Sequence, residues 1–248
     1  MSSNTRDPKM KAAIPLNILP QPDDTTCGPT SLHTVYSYYG DDISLQQVIE
    51  EVEYLEEGGT LGCMLANHAL NRGYKAIIYT YNLNIFDPTW FGHEQFFIKN
   101  KLELQSQHKQ NPKLQVATKA YSTFLDRGGV LRHQVLKPTL IRKYLNRSMP
   151  ILTGLSSTYL YGSMREYGEN MDYDDLRGEP SGHFVVLNGY DKTRRTISVA
   201  DPLHSNPLGE GPIYETGIDR LINAILLGIV TYDANLIVIT PSTGQENS

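Results

Sequence analysis

The sequence is poor in several features that would place a protein in a well-defined class. It contains only two cysteines among 248 residues, which is too few for a disulfide framework. Its longest purely apolar runs, such as residues 224–227, are far shorter than a transmembrane helix requires. Prolines and an asparagine interrupt residues 15–20, so no secretory signal core is present. We therefore expect a cytoplasmic location and no membrane insertion.

Basic charge and metal-binding motifs are also scarce. The 22 Lys and Arg residues are outnumbered by 27 Asp and Glu residues, which gives a formal net charge of −5 and argues against a nucleic-acid partner. The seven histidines show no metal-ligand grouping, and neither Cys-x-x-Cys nor His-Glu-x-x-His occurs, so no metal site is predicted. No glycine-rich phosphate loop is present, and we expect no cofactor.

The most informative segment that is present covers residues 21–31 and places Cys27 at the start of a predicted helix. Gly28 and Pro29 follow the cysteine, and proline is tolerated in the first turn of a helix. A helix N-terminus lowers the pKa of a thiol and so favours the nucleophilic thiolate. Gln21, six residues upstream, carries a side-chain amide that can donate a hydrogen bond to a developing oxyanion. The segment therefore offers two parts of a cysteine-based acyl-transfer site.

A base and a group to orient it occur far downstream. His183 opens a run of β-forming residues, and Asp201 ends the next such run. An antiparallel hairpin would bring the start of one run near the end of the other. Asp201 could then hold the imidazole while His183 deprotonates Cys27. Asp191 is the rival orienting acid, but it lies in the predicted turn, at the far end of the hairpin from His183.

At these positions the chain resembles the bacteriocin-processing double-glycine peptidases, which belong to the papain-like superfamily. The resemblance rests on the Gln-to-Cys spacing and on the stretches Cys-Gly-Pro-Thr-Ser, Gly-His-Phe-Val-Val-Leu-Asn-Gly-Tyr-Asp and Val-Ala-Asp-Pro; it covers residues 19–73 and 181–203. It implies a bacterial cysteine peptidase, here a stand-alone peptidase-like domain without a transporter. The implied nucleophile, base, orienting acid and oxyanion donor are Cys27, His183, Asp201 and Gln21.

The order of predicted elements, helices first and strands later, indicates the α+β class. Together with the resemblance, it leads us to expect a papain-like fold with an N-terminal helical lobe, a C-terminal antiparallel sheet lobe and a cleft between them. Helices are predicted over residues 27–39, 44–55, 61–72, 138–147 and 217–227, with two more within 93–127. Strands are predicted over residues 75–81, 149–155, 183–190, 196–200, 229–232 and 235–239.

These elements suggest one catalytic domain over residues 14–240. Residues 93–147 are expected to form a helical insertion in it, which is long for an ordinary loop and could shape the cleft or bind a partner. Residues 1–13 are predicted to be a flexible arm, and residues 241–248 a disordered tail.

Residues 166–179, directly before His183, carry six acidic residues and one basic residue. One interpretation is a solvated acidic loop. The other is a lid that attracts a basic or amine-bearing peptide or protein substrate, because long loops beside a site often carry specificity. On the second interpretation, the predicted substrate contacts are Gly182, Tyr161, Asp174 and Asp175.

Three activities remain compatible with these residues. The favoured one is hydrolysis of an amide or peptide bond, through a thioester acyl-enzyme, on a restricted peptide substrate. A transferase, in which an amine intercepts the acyl-enzyme, would use the same residues, and an idle peptide-binding member of the fold would need no nucleophile. A disulfide between Cys27 and Cys63 would consume that nucleophile, and Cys63 is better interpreted as a small buried hydrophobe.

Overall fold

The structure, a computed structural model, describes residues 13–242 apart from residues 57 and 169. The predicted arm and tail therefore lie almost entirely outside the described residues. At their inner ends, Ala13 lies close to Gly189, and Pro241 is the last residue of a strand.

Three short helices follow the cysteine, as predicted. They are α1 (Cys27–Tyr38), α2 (Leu45–Glu51) and α3 (Gly62–Asn71). The Ser44 side chain caps α2 by accepting a hydrogen bond from the Gln47 amide, as the Ser-x-x-Gln pattern indicates. The chain turns after α1 and α3 at Gly40 and Gly73, which have φ values of 77° and 83°, where a side chain would be strained.

The middle of the chain alternates short strands with helices. These elements are β1 (Tyr74–Thr80), a 3₁₀ helix (Pro88–Gly92), α4 (Gln95–His108), α5 (Pro112–Asp126), β2 (Val130–Arg132) and α6 (Pro138–Leu145). Asn111 separates α4 from α5 and caps α5 by accepting from the Leu114 amide at 2.9 Å. The two predicted helices are confirmed, whereas their status as an insertion stays a prediction.

The last third of the chain carries most of the strands. It contains β3 (Ile151–Ser156), α7 (Ser157–Tyr161), β4 (Glu166–Tyr167), β5 (Asp172–Tyr173), β6 (Gly182–Asp191), β7 (Thr196–Ala200), β8 (Ile213–Gly217), α8 (Ile218–Leu227), a 3₁₀ helix (Gly228–Thr231) and β9 (Asn235–Pro241). The sequence did not predict α7, β4, β5 or β8.

The strand predicted over residues 229–232 is wrong. The chain there forms a 3₁₀ helix, and Tyr232 adopts a left-handed conformation with φ 71°. The Thr231 hydroxyl donates to the Gly228 carbonyl, and the Asp233 amide does the same. These local hydrogen bonds reverse the chain direction between α8 and β9. The apolar segment that was predicted as a strand therefore forms the turn between them.

Seven strands form one sheet in the order β2-β1-β9-β3-β6-β7-β8, and β4 and β5 form a separate hairpin. Within the large sheet, β1 and β2 pair in parallel and the other neighbours pair antiparallel. The final strand, β9, therefore lies between β1 and β3 in the interior of the sheet. The predicted α+β class is confirmed, because helices combine with a mostly antiparallel sheet.

Helices cover both faces of the sheet. Residues of α1 to α5 share one apolar cluster with Phe184 and Val186 of β6, while residues of α6 and α8 share another with Val185 and Leu187. Successive side chains of a strand point to opposite faces, so a strand buried on both faces needs an unbroken apolar run. This double burial fixes β6, which carries His183, as a rigid central element.

Candidate active site

A tight turn places Cys27 at the N-terminus of α1. The Asp23 carboxylate accepts hydrogen bonds from the amide and the hydroxyl of Thr25, at 2.8 and 2.7 Å. The Asp23 carbonyl accepts from the Thr26 hydroxyl, and Thr26 does not cap the helix with its side chain. The amides of the first helical turn therefore remain available to stabilise negative charge near Cys27.

Two contacts hold this helix end against the sheet next to His183. The Ser31 hydroxyl donates to the carbonyl of Phe184, at 3.0 Å. A β-carbon at position 28 would lie only 2.6 Å from the Thr60 methyl and 3.3 Å from the Phe184 ring. Glycine at position 28 thus lets α1 approach β6 closely enough for Cys27 to reach His183.

His183 pairs with Asp201 and lies near Cys27. Its Nε2 lies 2.8 Å from Oδ1 of Asp201, and Cys27 is close enough for its charge to act on the imidazole. Because Asp201 occupies Nε2, Nδ1 is the ring nitrogen left for the sulfur. Asp201 follows β7 directly, so the predicted hairpin of β6 and β7 does bring the two residues together. The rival acid, Asp191, instead accepts from the amides of Thr193 and Arg194 in its own turn.

The Asp201 carboxylate is fully buried, at 0% exposure, and both of its oxygens are hydrogen-bonded. Oδ1 accepts from His183 and from the Leu203 amide at 2.9 Å. Oδ2 accepts from the hydroxyls of Tyr161 and Tyr214, at 2.7 and 2.9 Å. Sequence reasoning missed Tyr214, because a tyrosine within a strand carries no sign of such a contact.

These contacts shift the pKa values of both buried groups. Burial lowers the pKa of His183, but the attraction of Asp201 and of Cys27 outweighs it and raises the pKa to about 10. Burial acts to raise the pKa of Asp201, yet the charge of His183 and the hydrogen bonds from His183, Tyr161 and the Leu203 amide hold it below its ordinary value. Opposite charges on the pair are therefore stable near neutral pH.

Gln21 lies beside the same turn. Its backbone amide donates to the carbonyl of Pro202, at 3.0 Å, which ties the segment before Cys27 to the segment after Asp201. Its side-chain Nε2 donates to the carbonyl of Asp23 at 2.8 Å, so one of the two N–H groups remains for another acceptor.

An open cavity of about 430 Å³ adjoins His183. Gln21 and Tyr161 line it together with residues of the β4–β5 hairpin, including Tyr173. Two carboxylate side chains, those of Asp24 and Glu166, are part of the lining. The acidic segment before β6 thus forms one side of a cavity at His183. The remaining lining residues are Ser157, Ser163, Asn170, Met171, Ser181, Gly182, Leu203, Ser205 and Pro207.

With this geometry in place, the comparison with known families is decisive for classification. Residues 13–211 match the Peptidase_C39 like family. The chain belongs to this family. No curated protein matches the sequence significantly. Membership in the family supports a peptidase activity in general terms, and the expected relation to the double-glycine peptidases is confirmed.

Solved structures show the same fold. A protein from Bacillus anthracis described as a C39-like peptidase is 13% identical over 94% of this chain and 97% of that chain, with a TM-score of 0.51. A double-glycine motif protease from an AMS/PCAT transporter, in complex with the leader peptide, is 13% identical over 94% and 96%, with a TM-score of 0.43. The peptidase domain of Streptococcus ComA is 14% identical over 92% and 99%, with a TM-score of 0.42. The Bacillus anthracis structure, together with the family match, shows the papain-like fold.

Two of the four predicted substrate contacts of this C39-like chain line the cavity, and the other two lie outside its lining. Gly182 and Tyr161 line the cavity. The Asp174 carboxylate accepts from the amides of Leu176 and Arg177 and pairs with the Arg177 guanidinium. Asp175 is exposed, and its carbonyl accepts from the side chain of Arg165. A role for the two acids in substrate binding stays a prediction.

A second buried aspartate, Asp233, lies near His183, and the sequence did not single it out as a site residue. Its carboxylate is 5% exposed and lies close to Gly182 and Gly154, where added β-carbons would be 3.0 and 2.7 Å from its side chain. Oδ2 accepts one hydrogen bond, from Thr231 at 3.3 Å, and Oδ1 has no partner. Burial raises the pKa of Asp233 to about 7.

Both cysteines are free thiols, so the possible disulfide does not form. Cys63 is buried, as predicted for a small hydrophobe, and burial raises the pKa of its thiol. Among the described residues, no group of three or more His, Cys, Asp or Glu side chains could hold a metal ion. Nor is any helix in the described part of the chain long and apolar enough to cross a membrane.

Proposed function

We propose that this chain hydrolyses a peptide bond through a covalent intermediate on Cys27. The observation that carries the proposal is the buried pair of His183 and Asp201, 2.8 Å apart, with Cys27 at the start of α1 close to the imidazole. A thiol at a helix N-terminus, next to a base that a carboxylate orients, is the arrangement of an activated nucleophile. We therefore assign Cys27 as the nucleophile and His183 as its base.

Before the first step, the thiol proton of Cys27 resides on His183, and in that step the Cys27 sulfur bonds to the carbonyl carbon of the substrate. The negative charge moves to the carbonyl oxygen, and we assign the Cys27 backbone N–H and the second N–H of Gln21 as its donors. His183 then gives its proton to the amide nitrogen, the carbon–nitrogen bond breaks, and the amine leaves. The product of this step is a thioester on Cys27.

In the second step, water enters and His183 removes one of its protons. The hydroxide oxygen bonds to the thioester carbon, and the carbon–sulfur bond breaks. The carboxylic acid product is released, and the Cys27 sulfur leaves with its electron pair beside the protonated His183, which restores the starting state. Asp201 stays ionised throughout, because it stabilises the imidazolium without accepting its proton.

The cavity beside His183 supports a peptide as the substrate. The base protonates the leaving amine, so the part of the substrate that follows the cleaved bond must pass His183 and the cavity next to it. The carboxylates of Asp24 and Glu166 give this cavity negative potential. We infer that the favoured peptides carry a basic or amine-bearing group in that part.

The test is the pH dependence of iodoacetamide alkylation at Cys27, located by mass spectrometry, in the wild type and in His183→Ala. We expect rapid labelling of Cys27 well below pH 8 in the wild type and its loss in the variant. Cys63 is an internal control, since its buried thiol should remain unlabelled in both proteins. Labelling with an ordinary thiol pKa of about 8.5 in both proteins would refute an activated pair and favour an idle binding protein.

Peptide cleavage provides the second readout. Incubation of the wild type with a basic peptide library, with and without an added primary amine, should yield free carboxylic acid products in both reactions. Amine adducts as the main product would indicate a transferase that uses the same residues. Cys27→Ser, which replaces the thiol by a hydroxyl of similar shape, is the matched control for background cleavage.

A further inference from the structure

The carboxylate that orients the base is itself held by two tyrosines from separate elements. Tyr161 is the last residue of α7, and Tyr214 lies in β8. Both hydroxyls donate to Oδ2 of Asp201, at 2.7 and 2.9 Å. Oδ1 is thereby left to His183 and the Leu203 amide. The two oxygens of one carboxylate thus have different sets of partners.

These two phenols, the tyrosine clamp, stabilise the charge of the buried carboxylate. A carboxylate with 0% exposure is strongly destabilised unless donors replace the water it has lost. Hydrogen bonds to an ionised acceptor are short and strong, and the two phenol donors supply half of the four contacts that Asp201 receives. Without them, Oδ2 would be buried without a partner.

We propose that Tyr161 and Tyr214 are positioning residues, which keep Asp201 ionised and direct its Oδ1 toward His183. This role rests on the proposed function, because it matters for catalysis only if His183 activates Cys27. The phenols contact neither the thiol nor the reacting carbonyl in this scheme, so they act through Asp201.

The two tyrosines differ in a way that separates positioning from substrate binding. Tyr161 lines the cavity, and its ring centroid lies 6.2 Å from that of His183. Tyr214 is 6% exposed and reaches the site through Asp201. Loss of the Tyr214 hydroxyl should therefore lower kcat with little change in KM, whereas loss of the Tyr161 hydroxyl can change both.

The direct test is a titration of the Asp201 carboxyl carbon by ¹³C NMR, in a Cys27→Ala background with and without Tyr161→Phe, Tyr214→Phe and the double change. We expect the pKa of Asp201 to rise by about one unit for each hydroxyl removed, as for a hydrogen bond to a charged group. Tyr79→Phe is the control. Its hydroxyl is buried and bonded to that of Tyr144, in the same apolar cluster as Tyr214, so the Asp201 titration should not move.

The alkylation profile then links the clamp to reactivity. In proteins that retain Cys27, the lower pH limit of rapid labelling should shift upward in each tyrosine variant and most in the double variant, while the melting temperature at neutral pH falls by about 2–4 °C per hydroxyl removed. An Asp201 titration unchanged in the double variant would overturn the clamp. A shifted Asp201 titration, combined with ordinary thiol behaviour at Cys27 in the wild type, would sustain the clamp and refute the proposed function instead.

Discussion

Two buried aspartates near His183, Asp201 and Asp233, differ in almost every other respect. Asp201 receives four hydrogen bonds, and its pKa lies below the ordinary value. Asp233 receives one long hydrogen bond from Thr231, and burial raises its pKa to about 7. Both side chains are at most 5% exposed. The charge of His183 and the hydrogen-bond donors around each carboxylate, and not the depth of burial, therefore decide which of the two carries a negative charge.

The comparison explains why only one of these acids can orient the base. An orienting carboxylate must stay ionised while the imidazole next to it gains and loses a proton. The donors around Asp201 secure that state, whereas Asp233 is poised between its neutral and charged forms near pH 7. The following substitutions test this difference between the two acids.

The largest effect is expected for Asp201→Ala. The change leaves the buried His183 without its orienting partner, and kcat/KM for peptide cleavage should fall on the order of 10³- to 10⁴-fold, as for other triads. Asp233→Asn, measured under the same conditions, should retain activity within a few-fold. Equal losses in the two variants would show that the distinction between the acids is wrong.

The pH profile should reveal the partner of His183. The raised pKa of about 10 means that the imidazolium needed to protonate the leaving amine persists below that pH, so kcat/KM should decline as the pH rises through about 10. In Asp201→Asn the attraction of the carboxylate is lost, and the alkaline limb should move toward the ordinary histidine pKa of about 6.5. An alkaline limb that stays in place would contradict the pairing.

The free energy of unfolding should depend on pH through Asp233 in the direction opposite to its dependence through Asp201. Between its ordinary pKa near 4 and its raised pKa of about 7, the folded state binds a proton that the unfolded state has released, so stability falls as pH rises through this window. Asp233→Asn removes this effect and should raise the melting temperature by a few degrees at pH 8. At pH 4 the gain should be absent.

Asp201→Asn should instead lower the melting temperature at pH 8, because the pKa of Asp201 is depressed in the folded state.

The smallest effects are expected from exposed acids, where water screens the charge. Asp24→Asn with Glu166→Gln removes both carboxylates from the cavity lining, and KM for basic peptides should rise two- to fivefold, an order-of-magnitude estimate for exposed charges. KM for neutral peptides should not change. Asp174→Asn with Asp175→Asn is the matched pair outside the cavity lining. A larger effect of Asp174→Asn with Asp175→Asn would instead support the sequence-based interpretation, in which these two acids contact the substrate.

The parts of the site that sequence could predict are those formed by local patterns. Turn chemistry before Cys27 indicated a helix start, and two β-forming runs indicated the hairpin that joins His183 to Asp201. Tyr214 could not be predicted, because its strand, β8, follows a segment rich in glycine and proline and exposes Ile213 while it buries Thr216, so hydrophobicity does not follow burial there. Asp233 was hidden for a related reason: the apolar run before it suggested a strand, whereas the chain forms a turn there.

The position of β9 has a consequence for how the protein is made. This last strand lies between β1 and β3, so the sheet stays in two parts until the ribosome has released residues near 241. Cys27 emerges early in synthesis. His183, Asp201 and β9, the strand that joins their part of the sheet to β1, emerge much later. Contacts between distant parts of a chain form late in folding. On the proposed mechanism, a nascent chain therefore lacks the base that activates Cys27 for most of its synthesis.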